Sequence, residues 1–207
     1  MVKLYTRDIS DLYDGAWRDK LALIPPERRK RAQNMRKDHD SARSVGAWLL
    51  LRDAMSAEGV DIDKLTVTRN EYGKPKIDGA PEFSISHAGQ WAVVAVSDSP
   101  VGVDVESARC TIEMAERFFT ASELEGAEKL SGDAQTLYLQ RLWVCNEAFV
   151  KALGTGLYTP FSAFNVVLDG GGAELEQNLS PLPFRLIEYP CGDFRIAVCG
   201  LGTIIRA

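Results

Sequence analysis

In the segment VGVDVE, Val101, Val103 and Val105 alternate with Gly102, Asp104 and Glu106, so a strand places the valines on one face and both carboxylates on the other. Carboxylates held side by side repel, and a proton or a cation must neutralise them. No His or Cys lies in the segment, which favours a hard divalent ion bound through oxygen, magnesium before zinc. The same pair reads about equally well as the solvated face of an edge strand. In RLWVCNEAFVKALG, Trp143, Glu147 and Lys151 recur at i, i+4 and i+8 and share a helix face, with a carboxylate one turn from an ammonium. Taken alone this is a surface ion pair worth about 0.2–0.5 kcal/mol. FSISHAG sets Ser86 and His87 at a strand end before a tight turn, where amides and short polar groups can face a phosphate, although a lone histidine there is more often plain surface.

These residues need elements to hold them. An alternating start, Val2 to Ile9, reads as a strand, and Pro25 and Pro26 stand where a helix begins. A helical stretch, divisible into two pieces, follows from Glu27 to Ala57. It is basic first, then apolar in AWLLLRDAM. Leu65–Arg69, Glu82–Ser86 and Trp91–Ser97 read as extended, the last two joined by HAGQ, and together they predict one small antiparallel sheet. VGVDVE then leads into helices near Met114–Leu130 and Ala134–Leu153, the latter stopped by Gly154 and Gly156. Phe164–Leu168, Phe184–Tyr189 and Phe194–Cys199 read as three closing strands. Both halves run strand, helices, three strands. The expectation is an α+β, pseudo-duplicated two-lobe fold, each lobe a small antiparallel sheet packed with helices, divided as 1–100 and 101–207 with the site between them.

With 207 residues, 45% of them hydrophobic, the chain can fill a real core, and a net charge of −5 argues against a general nucleic-acid binder. Any polyanion site must be local. Between Glu27 and Ser44 there are seven basic residues, Arg28, Arg29, Lys30, Arg31, Arg36, Lys37 and Arg43. In isolation that run is a solvated helix face; in an acidic protein it is also a concentrated patch. The four cysteines have no paired spacing and read as reduced thiols, no apolar run approaches the roughly 20 residues of a membrane span, and nothing resembles a signal peptide. The expectation is a cytoplasmic protein with no membrane or nucleic-acid partner.

VGVDVE, followed some forty residues later by a WxxxExxxK helix ending in GTGL, closely resembles the signature of the Sfp-type 4′-phosphopantetheinyl transferases. SISHAG and the GKP of EYGKPKI resemble two further marks of that family, so four motifs fall in collinear order between about Pro26 and Leu157. The resemblance implies Mg2+, or Mn2+, on Asp104, Glu106 and Glu147. It implies coenzyme A held by Arg28, Arg31, Arg43, Tyr72, Gly73, Lys74, Pro75, Ser86 and His87 together with Asp104 and Lys151. Arg28, Arg31, Arg43 and His87 are expected at the 3′-phosphate and Lys151 at the pyrophosphate. The activity implied is transfer of 4′-phosphopantetheine to a serine of an apo acyl or peptidyl carrier protein, with Glu147 as candidate base and Asp104 as the alternative, by a monomer. One position departs: Asn146 stands where the pattern has lysine. Lying about 100° from Glu147 on the helix, it is expected to point beside the metal site and to be partly exposed. A coenzyme-binding protein without activity and a nucleotide pyrophosphate hydrolase are the rival readings.

Overall fold

A computed structural model describes residues 1–108 and 110–207. Its strands are β1 Val2–Asp8, β2 Val67–Arg69, β3 Pro75–Ile77, β4 Glu82–Ala88, β5 Trp91–Ser97, β6 Gly102–Ser107, β7 Asn165–Leu168, β8 Ala173–Glu176, β9 Arg185–Cys191, β10 Phe194–Gly200 and β11 Ile204–Arg206. Its helices are α1 Pro26–Gln33, α2 Asp38–Ala57, α3 Ile112–Phe118, α4 Ala121–Glu128 and α5 Gly132–Leu153. The α+β architecture of small antiparallel sheets and helices is as the sequence predicts.

Two sheets organise the core. One has the order β11-β1-β5-β4 and the other β6-β10-β9. Alternation assigns the faces. Val94 and Val96 of β5 pack with Trp48 and Leu51 of α2, whereas Val93 and Ala95 turn to the opposite side. There they meet Val103 and Val105 of β6 and Ile196 and Val198 of β10. The outer face of the second sheet, with Ala197 and Cys199, is covered by Cys145, Ala148 and Ala152 of α5. The layers therefore run α2, sheet, sheet, α5, and the valines of VGVDVE fill the middle because they are the apolar half of an alternating strand. Asp104 is left facing outward, toward α5.

Gly102 lets the helix approach. A Cβ there would lie 1.9 Å from the Ala148 carbonyl oxygen and 2.4 Å from the Ala152 nitrogen, both backbone atoms that cannot yield cheaply. α5 then ends on Gly154 at φ 81°, whose amide is bonded to the Val150 and Lys151 carbonyls.

Three expectations are corrected. Leu65–Arg69 does not join the sheet of β4 and β5; β2 pairs with β3 in a separate two-stranded sheet, and β3 is a strand too short to read in advance. The stretch Met114–Leu130 is two helices, because Thr120 caps a new one: its Oγ1 accepts from the Glu123 amide and the Glu123 carboxylate accepts from the Thr120 amide. The last strand, β11, returns to lie parallel to β1 with Val2 opposite Ile204, a pairing about two hundred residues apart that carries no local signal.

Candidate active site

The edges of the two sheets meet at β4 and β6. Ser84 Oγ accepts from the Val103 amide at 3.0 Å, and one turn of the pleat further on Ser86 Oγ donates to Asp104 Oδ1 at 2.6 Å. From α5, Lys151 Nζ donates to the same Oδ1 at 2.6 Å and to Ser86 Oγ at 3.2 Å. The i, i+4 spacing brings Glu147 alongside, its carboxylate 3.9 Å from Nζ. Ser86, Asp104, Glu147 and Lys151, drawn from three elements and both sheets, thus form one cluster.

The cluster carries more acid than base. Burial pushes the Glu147 carboxyl above the usual carboxylate range, and Asp104 and Glu106 push it the same way against the pull of Lys151. Burial also works against the Lys151 ammonium, yet Asp104, Glu147 and Glu106 hold its pKa above the ordinary lysine value. Lys151 therefore stays charged at neutral pH. Glu106 shares this neighbourhood, but its Oε1 turns to the Ser107 amide at 2.8 Å and hydroxyl at 3.2 Å. Among the described residues, no three His, Cys, Asp or Glu side chains stand close enough to hold a metal ion. In this arrangement the Lys151 ammonium occupies the place of the compensating cation.

Beyond Lys151 opens a cavity of about 620 Å³, lined by Arg28, Arg31, Met35, Arg36, Asp40, Ser44, Ala47, Trp48, Arg69, Pro75, Ile85, Ser86, His87 and Lys151. The Arg28 guanidinium lies 4.9 Å over the Trp48 ring. Burial, reinforced by Arg69 and Arg31, brings its pKa down to about 10, still high enough to remain a cation. Arg28 Nε and Trp48 Nε1 are buried donors without a partner among the described residues. Crowded cations and orphaned donors on one wall suit a ligand rich in anionic acceptors. His87 stands at the mouth, its imidazole held below the usual value by desolvation first and by the positive charges of Arg43 and Lys151, with Asp104 opposing. Arg43 itself is engaged by Asp40, three residues earlier on α2.

A second, mostly apolar cavity of about 220 Å³ adjoins the first through Pro75, Ile85 and Lys151, and Tyr72, Gly73 and Lys74 line it. The turn that carries them is built by Asn70, whose Oδ1 accepts from the Tyr72 amide at 3.0 Å and the Lys74 amide at 2.8 Å, with Gly73 supplying φ 89°. Asn70 Nδ2 donates to the Gly154 carbonyl at 2.7 Å, which fastens this turn to the end of α5. The Lys74 ammonium is directed to the Val101 carbonyl at 2.9 Å.

Residues 100–199 match the 4′-phosphopantetheinyl transferase superfamily, and residues 13–99 match the N-terminal region of 4′-phosphopantetheinyl transferases. The chain is 34% identical over 185 residues to a 4′-phosphopantetheinyl transferase of Bacillus subtilis, covering 86% of this chain and 83% of that protein. It is 32% identical over 186 residues to the 4′-phosphopantetheinyl transferase Sfp of Bacillus subtilis strain 168, with the same shares. The chain belongs to the 4′-phosphopantetheinyl transferase family. Among solved structures it is similar to a holo-(acyl-carrier-protein) synthase from Bacillus anthracis in complex with CoA (3′,5′-ADP), at 22% identity and a TM-score of 0.43 over 48% of this chain and 92% of that one.

Within this phosphopantetheinyl transferase, Ser86, Asp104, Glu147 and Lys151 fall into one cluster, and Arg28, Arg31 and His87 onto the wall of one cavity. Tyr72, Gly73, Lys74 and Pro75 line its neighbour. Sequence reasoning passed over Arg69, Trp48 and Asn70. Arg69 stands alone among polar residues and Trp48 hides in an apolar run, so neither carried a pattern; Asn70, three residues before a glycine, carried a turn signal that went unused. The expectation for Asn146 is overturned. Its side chain is 0% exposed and faces Glu123 of α4, away from the cavity. A helical wheel gives its angle from Glu147 but not which neighbour covers that side.

Proposed function

We propose that this chain transfers the 4′-phosphopantetheine group of coenzyme A to a serine of an apo acyl or peptidyl carrier protein, releasing adenosine 3′,5′-bisphosphate. The observation that carries this reading is the junction at Lys151: an acid-rich cluster on one side and, on the other, a cavity walled by arginines with two orphaned buried donors. A nucleotide bearing a 3′-phosphate and a pyrophosphate would use both. Residues 1–100 would then supply most of the coenzyme site and 101–207 most of the reacting groups. Because one chain provides both, a cytoplasmic monomer would suffice.

Phosphoryl transfer asks chiefly for alignment and for neutralisation of charge. Lys151 Nζ would donate to the pyrophosphate and oppose the charge that grows on the departing bisphosphate. Ser86 would orient Asp104 and leave one oxygen of its carboxylate available. Glu147, set beside Lys151, would accept the proton of the carrier serine. It is the freer of the two candidates, since Asp104 Oδ1 already accepts from Ser86 and Lys151. Asp104, Glu106 and Glu147 offer only hard oxygen donors, which suits Mg2+ or Mn2+ rather than zinc, and the three carboxylates would have to draw together to share one ion. Bound there, the ion would neutralise pyrophosphate charge and polarise the phosphorus.

Incubation with coenzyme A separates this reading from its rivals: bisphosphate release only when an apo carrier is added supports it. Release without a carrier indicates a hydrolase, and no release indicates a binding protein. For the coenzyme site, Arg28→Ala and His87→Ala are expected to weaken binding of coenzyme A about ten- to a hundredfold while leaving 3′-dephospho-coenzyme A nearly unchanged, as loss of a charged hydrogen bond of about 1.5–3 kcal/mol requires. Titration calorimetry with both ligands checks it. Equal losses would place these side chains elsewhere on the coenzyme.

A further inference from the structure

Glu123 is 1% exposed, although a glutamate in a capping box ordinarily needs only the amide of its cap and solvent. Its Oε2 meets that role, accepting from the Thr120 amide at 2.8 Å. Its Oε1 turns inward and accepts from the Val166 amide at 2.9 Å and from Asn146 Nδ2 at 3.3 Å. One carboxylate therefore joins the start of α4, the start of β7 and the middle of α5. Asn146 also donates to the Leu142 carbonyl at 2.9 Å, while its own Oδ1 is buried with no partner among the described residues. The socket around residue 146 thus offers two acceptors and no donor. A side chain carrying donors alone would satisfy it, and asparagine does so at the expense of an orphaned oxygen.

We propose that Glu123 is a positioning residue for Glu147 and Lys151: through Asn146 it fixes the rotation of α5 about its own axis, and asparagine makes this clasp looser than a donor-only side chain would. The inference rests on the transfer reading above. On the β6 side α5 lies against Gly102 with no room for a Cβ, and Gln140 Nε2 donates to the Glu106 carbonyl at 2.9 Å, so a roll of the helix about its axis is resisted on that side. Glu123 opposes the roll from another direction. A roll of about 10° moves a group roughly 6 Å from the axis by about 1 Å. Displacement of that size in a reacting group can cost about a hundredfold in rate.

The test compares Glu123→Gln, Asn146→Lys and the double variant with the parent. Glutamine keeps the shape, but whichever way its amide turns, an NH2 meets a backbone N–H of Thr120 or Val166. Glu123→Gln is expected to lower kcat at least about tenfold while changing the Kd of adenosine 3′-monophosphate, which lacks the 5′-phosphate that Lys151 would hold, less than about twofold, because Arg28, Arg31 and His87 lie on other elements. Asn146→Lys is expected to raise the melting temperature and slow amide exchange along α5 in the parent, and to do neither in the Glu123→Gln background. The proposal is overturned if Glu123→Gln lowers only the melting temperature, if kcat and nucleotide affinity fall together, or if lysine acts alike in both backgrounds. Should the parent transfer nothing to any apo carrier, the transfer reading fails, and amide exchange along α5 still decides the clasp.

Discussion

Replacing Asp104 by alanine is expected to lower kcat by at least about a hundred- to a thousandfold, the scale on which removal of a single preorganised charge-stabilising group acts. The carboxylate is buried and orients both Ser86 and Lys151, so its loss disperses the cluster at the point where the pyrophosphate would be held. The protein should remain folded. Lys151 keeps Glu147 within 3.9 Å, and one fewer carboxylate relieves repulsion on Glu147. Asp104→Asn sharpens the test, because it retains an acceptor for Ser86 and Lys151 but not the charge. Near-equal losses in both variants, at an unchanged melting temperature, would assign the effect to charge. Parent-like turnover by either would remove Asp104 from the reaction.

Lys151→Met is expected to remove transfer to a similar degree and, unlike Asp104→Ala, to destabilise the protein. It leaves Asp104 and Glu147, whose side chains are 8% and 15% exposed, without the cation beside them. Breaking a buried pair costs about 3–5 kcal/mol. The loss here should fall at the lower end, because the lysine side chain is 27% exposed and solvent screens part of the interaction. The dependence on pH has a definite sign. Carboxylates buried without a cation bind protons more tightly folded than unfolded, as Glu147 already does in the parent. Native protein then holds more protons between the ordinary carboxylate pKa and the raised one, so stability falls as pH rises through that window and returns as pH falls. Melting temperatures of parent and variant should converge near pH ~4 and separate toward pH ~7. A deficit independent of pH would mean that lost packing, not uncompensated charge, is responsible. If the three carboxylates bind Mg2+, the ion should restore part of the loss at pH ~7.

The parts of this site that were legible are those whose spacing carries direction. Alternation in VGVDVE put Asp104 opposite the valines, and the i, i+4 step put Glu147 beside Lys151; both follow from local geometry and both hold. The helix stop at Gly154 was readable because a left-handed position needs glycine. What sequence did not give is what covers a given side. Asn146 was angularly placed but faces α4, and only the packing of Glu123 between Thr120, Val166 and α5 determines that. Arg69 reaches the arginine-lined cavity from a three-residue strand, β2, whose partner β3 is equally short. β11 pairs with β1 across about two hundred residues, a contact that leaves no local pattern in the sequence.

The most direct test of the account is the mass of an apo carrier protein after incubation with coenzyme A, Mg2+ and this protein, beside a carrier whose acceptor serine is alanine. The account predicts that the intact carrier gains one phosphopantetheine in step with adenosine 3′,5′-bisphosphate release, that the alanine carrier gains nothing, and that the Asp104→Ala protein leaves both unmodified. A carrier of unchanged mass with coenzyme A intact, or bisphosphate released equally with and without the acceptor serine, would contradict it.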